Sequence, residues 1–277
     1  VEGIQPRWRV MENVTGMTSI AGRNIVREIF SGMEGLGYRD EMKVLKAEEY
    51  GVPQERRRVF FIATRTDAEI RFPEPTHGEG RLPLVTIWDA ISDLPPLENG
   101  AKHSPVRYGD DPQTSFQALL RGDCTSLHNH SAGRLSPINE QRMRHIPSGG
   151  SWRDIPLDLL PAGMLKAKRS DHTKRYGRPR KADQACTILT KCDVHWGAYI
   201  HPVQDRAFTV REAARLQSFP DFFEFRGSRT EQYVQVGNAV PPLLGRRVAE
   251  ALILADTLNR TQSKAIAYER EELAIAV

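Results

Sequence analysis

Val59-Phe60-Phe61-Ile62-Ala63 is the stretch that decides the fold class of this chain. The run is mostly β-branched or aromatic and carries no alternating polar residue, which describes a strand covered on both faces, as strands flanked by helices are. Reading outward toward the N-terminus, Gly51 and Pro53 mark a turn and Met42-Lys43-Val44-Leu45 reads as a second strand. Farther upstream, Ile25, Val26, Ile29, Phe30, Met33 and Leu36 recur at helical spacing, with Thr18 or Ser19 opening the helix and Gly35 and Gly37 closing it. Arg9-Val10-Met11-Glu12-Asn13-Val14 precedes that helix as a short strand ending on polar residues. Strand, amphipathic helix and strand form a βα-type unit, so the architecture is α/β and a parallel sheet is expected.

Residues 72–202 differ in character. Prolines and glycines are frequent there, apolar runs are short, and His103, His128, His130, His145, His172 and His195 are dispersed among them. Loop-rich segments of this length are usually functional insertions or separate small domains. Order returns at Thr209-Val210-Arg211-Glu212, a capping box that opens a helix of Ala213, Ala214, Leu216 and Gln217 and ends before Pro220. A last helix is predicted over 243–258, with Val248, Ala251, Leu252, Ala255 and Leu258 on one side. The charged tail after Arg260 is expected to fray.

Composition narrows the function classes. The chain has 277 residues, 39% of them hydrophobic, enough for one large domain or two smaller ones with a real core. No apolar stretch approaches the ~20 residues of a membrane-spanning helix, and the N-terminus carries no leader pattern, so a cytoplasmic protein is expected. Cys124, Cys186 and Cys192 are odd in number and lie outside any Cys-x-x-Cys setting, which disfavours a disulfide framework or a structural zinc site. The net charge of +4 is uneven: residues 166–181 hold eight Lys and Arg against Asp171 alone. Such a run is either a solvated loop or a segment that follows phosphates.

Three stretches together resemble the DNA (cytosine-5) methyltransferases. They are Glu12-Asn13-Val14 at a strand end, Gly51-Val52-Pro53-Gln54-Glu55-Arg56-Arg57-Arg58 with its Gln-x-Arg-x-Arg pattern, and the pair Thr209-Val210-Arg211-Glu212-Ala213-Ala214-Arg215-Leu216-Gln217-Ser218-Phe219-Pro220-Asp221 and Gln235-Val236-Gly237-Asn238-Ala239-Val240-Pro241-Pro242. Taken singly, a Glu-Asn pair is a turn or cap and an arginine triplet is a solvated strand edge; in this order and spacing the set is specific. His145-Ile146-Pro147-Ser148-Gly149-Gly150 and Tyr176-Gly177-Arg178 look like the family's variable target-recognition region.

The resemblance implies the C-terminal part of a Rossmann-like, S-adenosylmethionine-dependent methyltransferase sheet with an inserted irregular recognition domain. Residues 1–72 would be the second half of the catalytic domain, 73–202 the recognition domain, and 203–277 a return segment with a helix packing on the catalytic part. The family's reaction moves a methyl group to carbon 5 of a cytosine flipped out of double-stranded DNA, often in restriction-modification. A thiolate adding at carbon 6 makes carbon 5 nucleophilic, and a carboxyl group facing ring nitrogen N3 donates as it does so. By resemblance Glu12 is that group, with its pKa raised toward neutral. Arg56 and Arg58, placed at alternate positions and so on one face, orient Glu12 and contact the base carbonyl. Asn13, Gln54 and Arg211 support the site, Asn238 and Val240 line the methionine side of the cofactor pocket, and Lys174, Arg175, Arg178 and Arg180 meet DNA.

The same resemblance carries a departure. A complete family member places a glycine-containing cofactor loop, acidic ribose-binding residues and a Pro-Cys-Gln nucleophile loop before Glu-Asn-Val, and eleven residues precede Glu12. The three cysteines stand in other contexts and are expected to be bystanders. Two readings follow: a composite enzyme, completed by a separate front half or by self-association through the sheet edge, or a DNA-binding remnant without transfer activity.

Overall fold

The structure, a computed structural model, describes residues 1–19, 25–102 and 104–275. His103 lies outside the described residues, as do residues 20–24, where the first helix was expected to begin. Near that start, Thr18 and Ser19 belong to a short 3-10 turn, Thr15–Ser19.

Strand β1 (Trp8–Val14), helix α1 (Ile25–Glu34), strand β2 (Arg39–Lys46) and strand β3 (Arg57–Thr64) form the first unit. The sheet order is β1-β3-β2, and β3 is antiparallel to both neighbours. The expected parallel sheet is therefore corrected. β1 and β2 do run the same way across the α1 connection, but β3 returns between them and separates the parallel pair. Its central place explains the apolar run. Phe61 and Ala63 point toward α1, where Phe30 meets Phe61 edge-on at 6.0 Å and Met33 and Tyr38 bury Ala63. Phe60 and Ile62 point the other way, into a cluster with Leu45, Tyr50, Leu244 and Val248. Period-two alternation with both faces apolar gives a continuous hydrophobic run.

Residues 73–202 contain short pieces only: α2 (Ile87–Ile91), β4 (Val106–Arg107), α3 (Ser115–Arg121), β5 (Ser126–Leu127), α4 (Pro137–Arg144) and three 3-10 turns. Two apolar clusters hold them. One gathers Met143, Ile146, Trp152, Tyr176, Val194 and Ile200. The other joins Ile87, Ile91, Phe116 and Leu120 to Val210, Ala213, Leu216 and Val236, so residues on both sides of position 202 share one core.

Helix α5 (Val210–Leu216) opens on the Thr209–Glu212 capping box, and all of its side chains are buried, the charged ones included. Arg215 pairs with Asp93 at 2.9 Å and with Asp221 at 2.6 Å, and Glu212 accepts from both terminal nitrogens of Arg206 at 2.8 and 2.6 Å. Buried ions persist only when paired in this way. Helix α6 (Arg229–Asn238) leads through Ala239 into α7 (Pro242–Ile275). The fraying tail is corrected: α7 is continuous to Ile275, in keeping with a segment after Arg260 that has no Gly or Pro and is rich in strong helix formers. No helix among the described residues is long and apolar enough to cross a membrane.

Candidate active site

Glu12 faces Phe60 across the β1–β3 ladder, and Arg58 faces Val14, which makes Glu12 and Arg58 diagonal neighbours. Arg58 Nε donates to Glu12 Oε1 at 2.8 Å, with 13% of the arginine side chain and 23% of the glutamate exposed. Burial lowers the Arg58 pKa, and the Glu12 charge and hydrogen bond work against that shift. Beside them, Asn13 Oδ1 accepts from the backbone nitrogen of Val14 at 2.8 Å and fixes the end of β1.

Arg56 goes elsewhere, which corrects its expected role. It precedes β3 instead of lying on it, and it is fully buried. Its terminal nitrogens donate to the carbonyls of Ile188 at 3.1 Å, Gly237 at 2.8 Å and Ala239 at 3.0 Å, while Nε is buried without a partner. Burial, followed by repulsion from Arg58, pulls its pKa down to about 10, so it stays charged at neutral pH. The two arginines therefore do not act jointly on Glu12. Arg58 holds the carboxylate, and Arg56 staples the loop after α6 to the segment around Ile188.

Two glutamines complete this staple. Gln54 accepts from Ile188 N at 2.9 Å and donates to Leu216 O at 3.1 Å and Gln217 Oε1 at 2.6 Å. Gln217 in turn donates to the carbonyls of Val236 and Ala239, each at 3.0 Å. The turn before α7 is thus held from two sides. Gly237 has no room for a side chain, because a Cβ there would stand 2.5 Å from the Leu189 backbone. Of this turn, Asn238 is exposed and Val240 is half-buried against the cluster containing Leu244.

Arg211 is fully buried and donates to the carbonyls of His128 at 2.9 Å, Pro220 at 3.2 Å and Phe223 at 2.7 Å. It braces the fold through these carbonyls. Within the basic run, Lys174 pairs with Glu55 at 3.1 Å, Arg175 lies over the Trp196 ring at 5.1 Å, and Arg180 is exposed beside Gly149. Arg178 is a correction. It is buried, and its guanidinium is consumed by the carbonyls of Ile146, His201, Gln204 and Met143 and by the Asp205 carboxylate. An arginine so engaged has no donor left for DNA.

The cysteines are poor nucleophiles where they stand. Burial raises the pKa of Cys124, Cys186 and Cys192, the last in the middle of the core, so each remains a thiol at neutral pH. Sequence reasoning missed Gln217 as part of the staple and Asp93, Asp221 and Arg206 as partners of the α5 charges. The one available signal was α5 itself, Val-Arg-Glu-Ala-Ala-Arg-Leu, a short helix with no wholly polar face to give to water.

With this geometry in place, the fold can be compared with known proteins. It is shared with a solved structure described as a DNA modification methyltransferase encoded within an E. coli prophage, which matches at a TM-score of 0.71 and 24% identity, covering 93% of this chain and 72% of that one. The family is narrower. The model of the C-5 cytosine-specific DNA methylases matches residues 1–254, and the chain belongs to that family. Among curated relatives, Type II methyltransferase M.AgeI of Thalassovita gelatinovora is 32% identical over 92% of this chain and 75% of its own length. Type II methyltransferase M1.HphI of Haemophilus parahaemolyticus is 36% identical over 91% of this chain. The chain spans only 58% of M1.HphI and 19% of the rice DNA (cytosine-5)-methyltransferase 1A.

The turn at Asn238 and Val240 suits one wall of the family's cofactor site, since it presents an exposed carboxamide beside an apolar side chain on a backbone that Arg56 and Gln217 hold rigidly.

Proposed function

We propose that these 277 residues supply the base-facing part of a composite site that methylates carbon 5 of cytosine in double-stranded DNA, in a restriction-modification setting. The observation that carries this reading is the Glu12–Arg58 pair at the end of β1, two residues along the chain from the arginine that holds the turn at 237–239. Arg58 engages Oε1 and fixes the carboxyl group, leaving Oε2 to face ring nitrogen N3 of a flipped cytosine. As a thiolate adds to carbon 6 and the carbon 5–carbon 6 π electrons shift, Glu12, carrying a proton on Oε2 in the base-bound state, gives it to N3 and keeps the ring near neutrality. S-adenosylmethionine, when bound, supplies the methyl group, and Asn238 and Val240 form one side of its pocket. The carbon 5 proton then passes to solvent, the thiolate is expelled, and N3 returns its proton to Glu12, which restores the aromatic ring.

The nucleophilic thiol and the remainder of the cofactor pocket come from polypeptide outside these residues, since Cys124, Cys186 and Cys192 are all held as thiols. Among the described residues β1 pairs only with β3, so its outer edge offers unpaired backbone beside the exposed side chains of Val10 and Val14. That edge accepts a strand from a complementing front half, or from a second copy of the chain. Residues 73–202 read the DNA, with Arg180 exposed at their surface and Lys174 and Arg175 held there by Glu55 and Trp196. In a complex with a cysteine-bearing front half from a relative, Glu12→Gln is expected to depress methyl transfer by about 10²-fold or more while DNA binding changes less than threefold. Equal losses in transfer and binding would remove Glu12 from the chemistry.

A further inference from the structure

The sequence directs attention to residues 166–181 as the place where DNA lies, but the structure shows most of those cations already engaged. Arg178 is buried, Lys174 holds Glu55, Arg175 lies over Trp196, Lys181 stands 4.1 Å over the Trp88 ring, and Arg169 donates to Arg153 O at 3.2 Å. A different surface has the opposite character. A cleft of about 600 Å³ opens between the loop before α4, the segment 190–195 and the start of α6, and three chain segments each place one cation on its walls: Arg134, Lys191 and Arg229. All three are exposed, and none has a carboxylate partner among the described residues. The cleft's one acid, Asp193, pairs with His195 and also feels the charge of Lys191, while Arg229 reaches Ala132 O at 3.5 Å. Ser136, Asn139 and Thr190 add neutral hydrogen-bonding groups to the walls.

We propose that this cleft is a phosphodiester track for duplex DNA, with Arg134, Lys191 and Arg229 each neutralising a backbone phosphate. Three cations without a salt bridge among the described residues, converging from distant parts of the chain, have an unfavourable mutual charge that a polyanion relieves, and side chains that give up no salt bridge can bind at little cost. The cleft also lies in the right place. Thr190 follows Leu189, whose backbone lies against Gly237, and Tyr233 in its wall belongs to the helix that ends at Asn238. A strand following the cleft therefore passes close to the turn assigned to the cofactor.

The inference rests on the DNA-methylating reading, and its test separates the two. Binding of a fluorescent mixed-sequence duplex to the full chain is measured across a salt series for the parent, for Arg134→Gln/Lys191→Gln/Arg229→Gln, and for the charge-retaining Arg134→Lys/Lys191→Arg/Arg229→Lys. Each phosphate contact contributes about 0.9 to the slope of log K against log salt. The glutamine triple is expected to lower the slope by roughly 2 to 3, and the charge-retaining triple to recover most of it. Lys191→Gln alone, with circular dichroism confirming the fold, is expected to lower it by about 0.9. Parental binding with an unchanged slope in the glutamine variants overturns the cleft while leaving the DNA reading intact. Absence of DNA binding by the parent overturns both.

Discussion

Arg58 spends its Nε on the Glu12 carboxylate, whereas Arg56, two positions earlier, spends both terminal nitrogens on backbone carbonyls, so equal substitutions at the two positions have unlike consequences. In the completed enzyme, Arg58→Lys keeps a positive charge but loses the fixed planar donor, and methyl transfer is expected to fall by about 10²-fold with the melting temperature nearly unchanged. Arg56→Met leaves the carbonyls of Ile188, Gly237 and Ala239 short of a donor and is expected to cost about 3 kcal/mol in denaturant unfolding. Arg178→Met should resemble Arg56→Met, with a loss of stability of about 3 kcal/mol and no change in the salt dependence of DNA binding. The sequence shows three arginines near a strand and four more in a basic run, and nothing local distinguishes a guanidinium that will be buried from one that will not. That outcome depends on carbonyls at 143, 146, 188, 201 and 237, brought in from elsewhere in the chain.

At the scale of elements, α5 and the turn before α7 carry the most exact demands. Glu212 is held far below the usual carboxylate range by Arg206 despite its burial, and the His201 imidazole near it is pushed down to about 4, first by burial and then by Arg206, Arg178 and His130, with Glu212 opposing. His130, hydrogen-bonded to Thr209 and Pro95, is also lowered, mainly by burial. Between the His201 value of about 4 and an unfolded value near 6.5, the unfolded chain binds more protons than the native one, so stability rises with pH through that window. Acidification from pH 7 to pH 4.5 is therefore expected to cost about 2 kcal/mol through His201, read as a falling melting temperature, and His201→Asn should flatten the profile. Gly237→Ala forces a methyl group onto the Leu189 backbone and is expected to destabilise by about 2 kcal/mol, visible in the same melts. The strands, the α1 face and the Thr209 capping box were legible because each is a local pattern. The β1-β3-β2 order was not, because antiparallel return of β3 between β1 and β2 is settled by packing against α1 on one face and α7 on the other. The Gln54–Arg56–Gln217 staple was hidden for the same reason, since its three residues meet only after the fold brings residues 54–56, 188, 217 and 236–239 together.

As a whole molecule, the chain presents one surface for each partner the composite reading requires. Among the described residues β1 has an unpaired strand edge, the Glu12–Arg58 pair stands at its end, and the cleft of Arg134, Lys191 and Arg229 is the proposed path for DNA. Lysines at the exposed Val10 and Val14 positions are expected to weaken association with a front half at least tenfold, measured by sedimentation, because charge on an edge strand opposes further pairing. The most direct measurement is transfer of a labelled methyl group from S-adenosylmethionine to mixed-sequence duplex DNA by this chain alone, by a cysteine-bearing front half of a relative alone, and by the two together. The composite reading predicts incorporation only in the mixture, abolished when the front half's cysteine is replaced. Incorporation by the chain alone, or an inert mixture in which the two pieces are shown to associate and bind DNA, would contradict it.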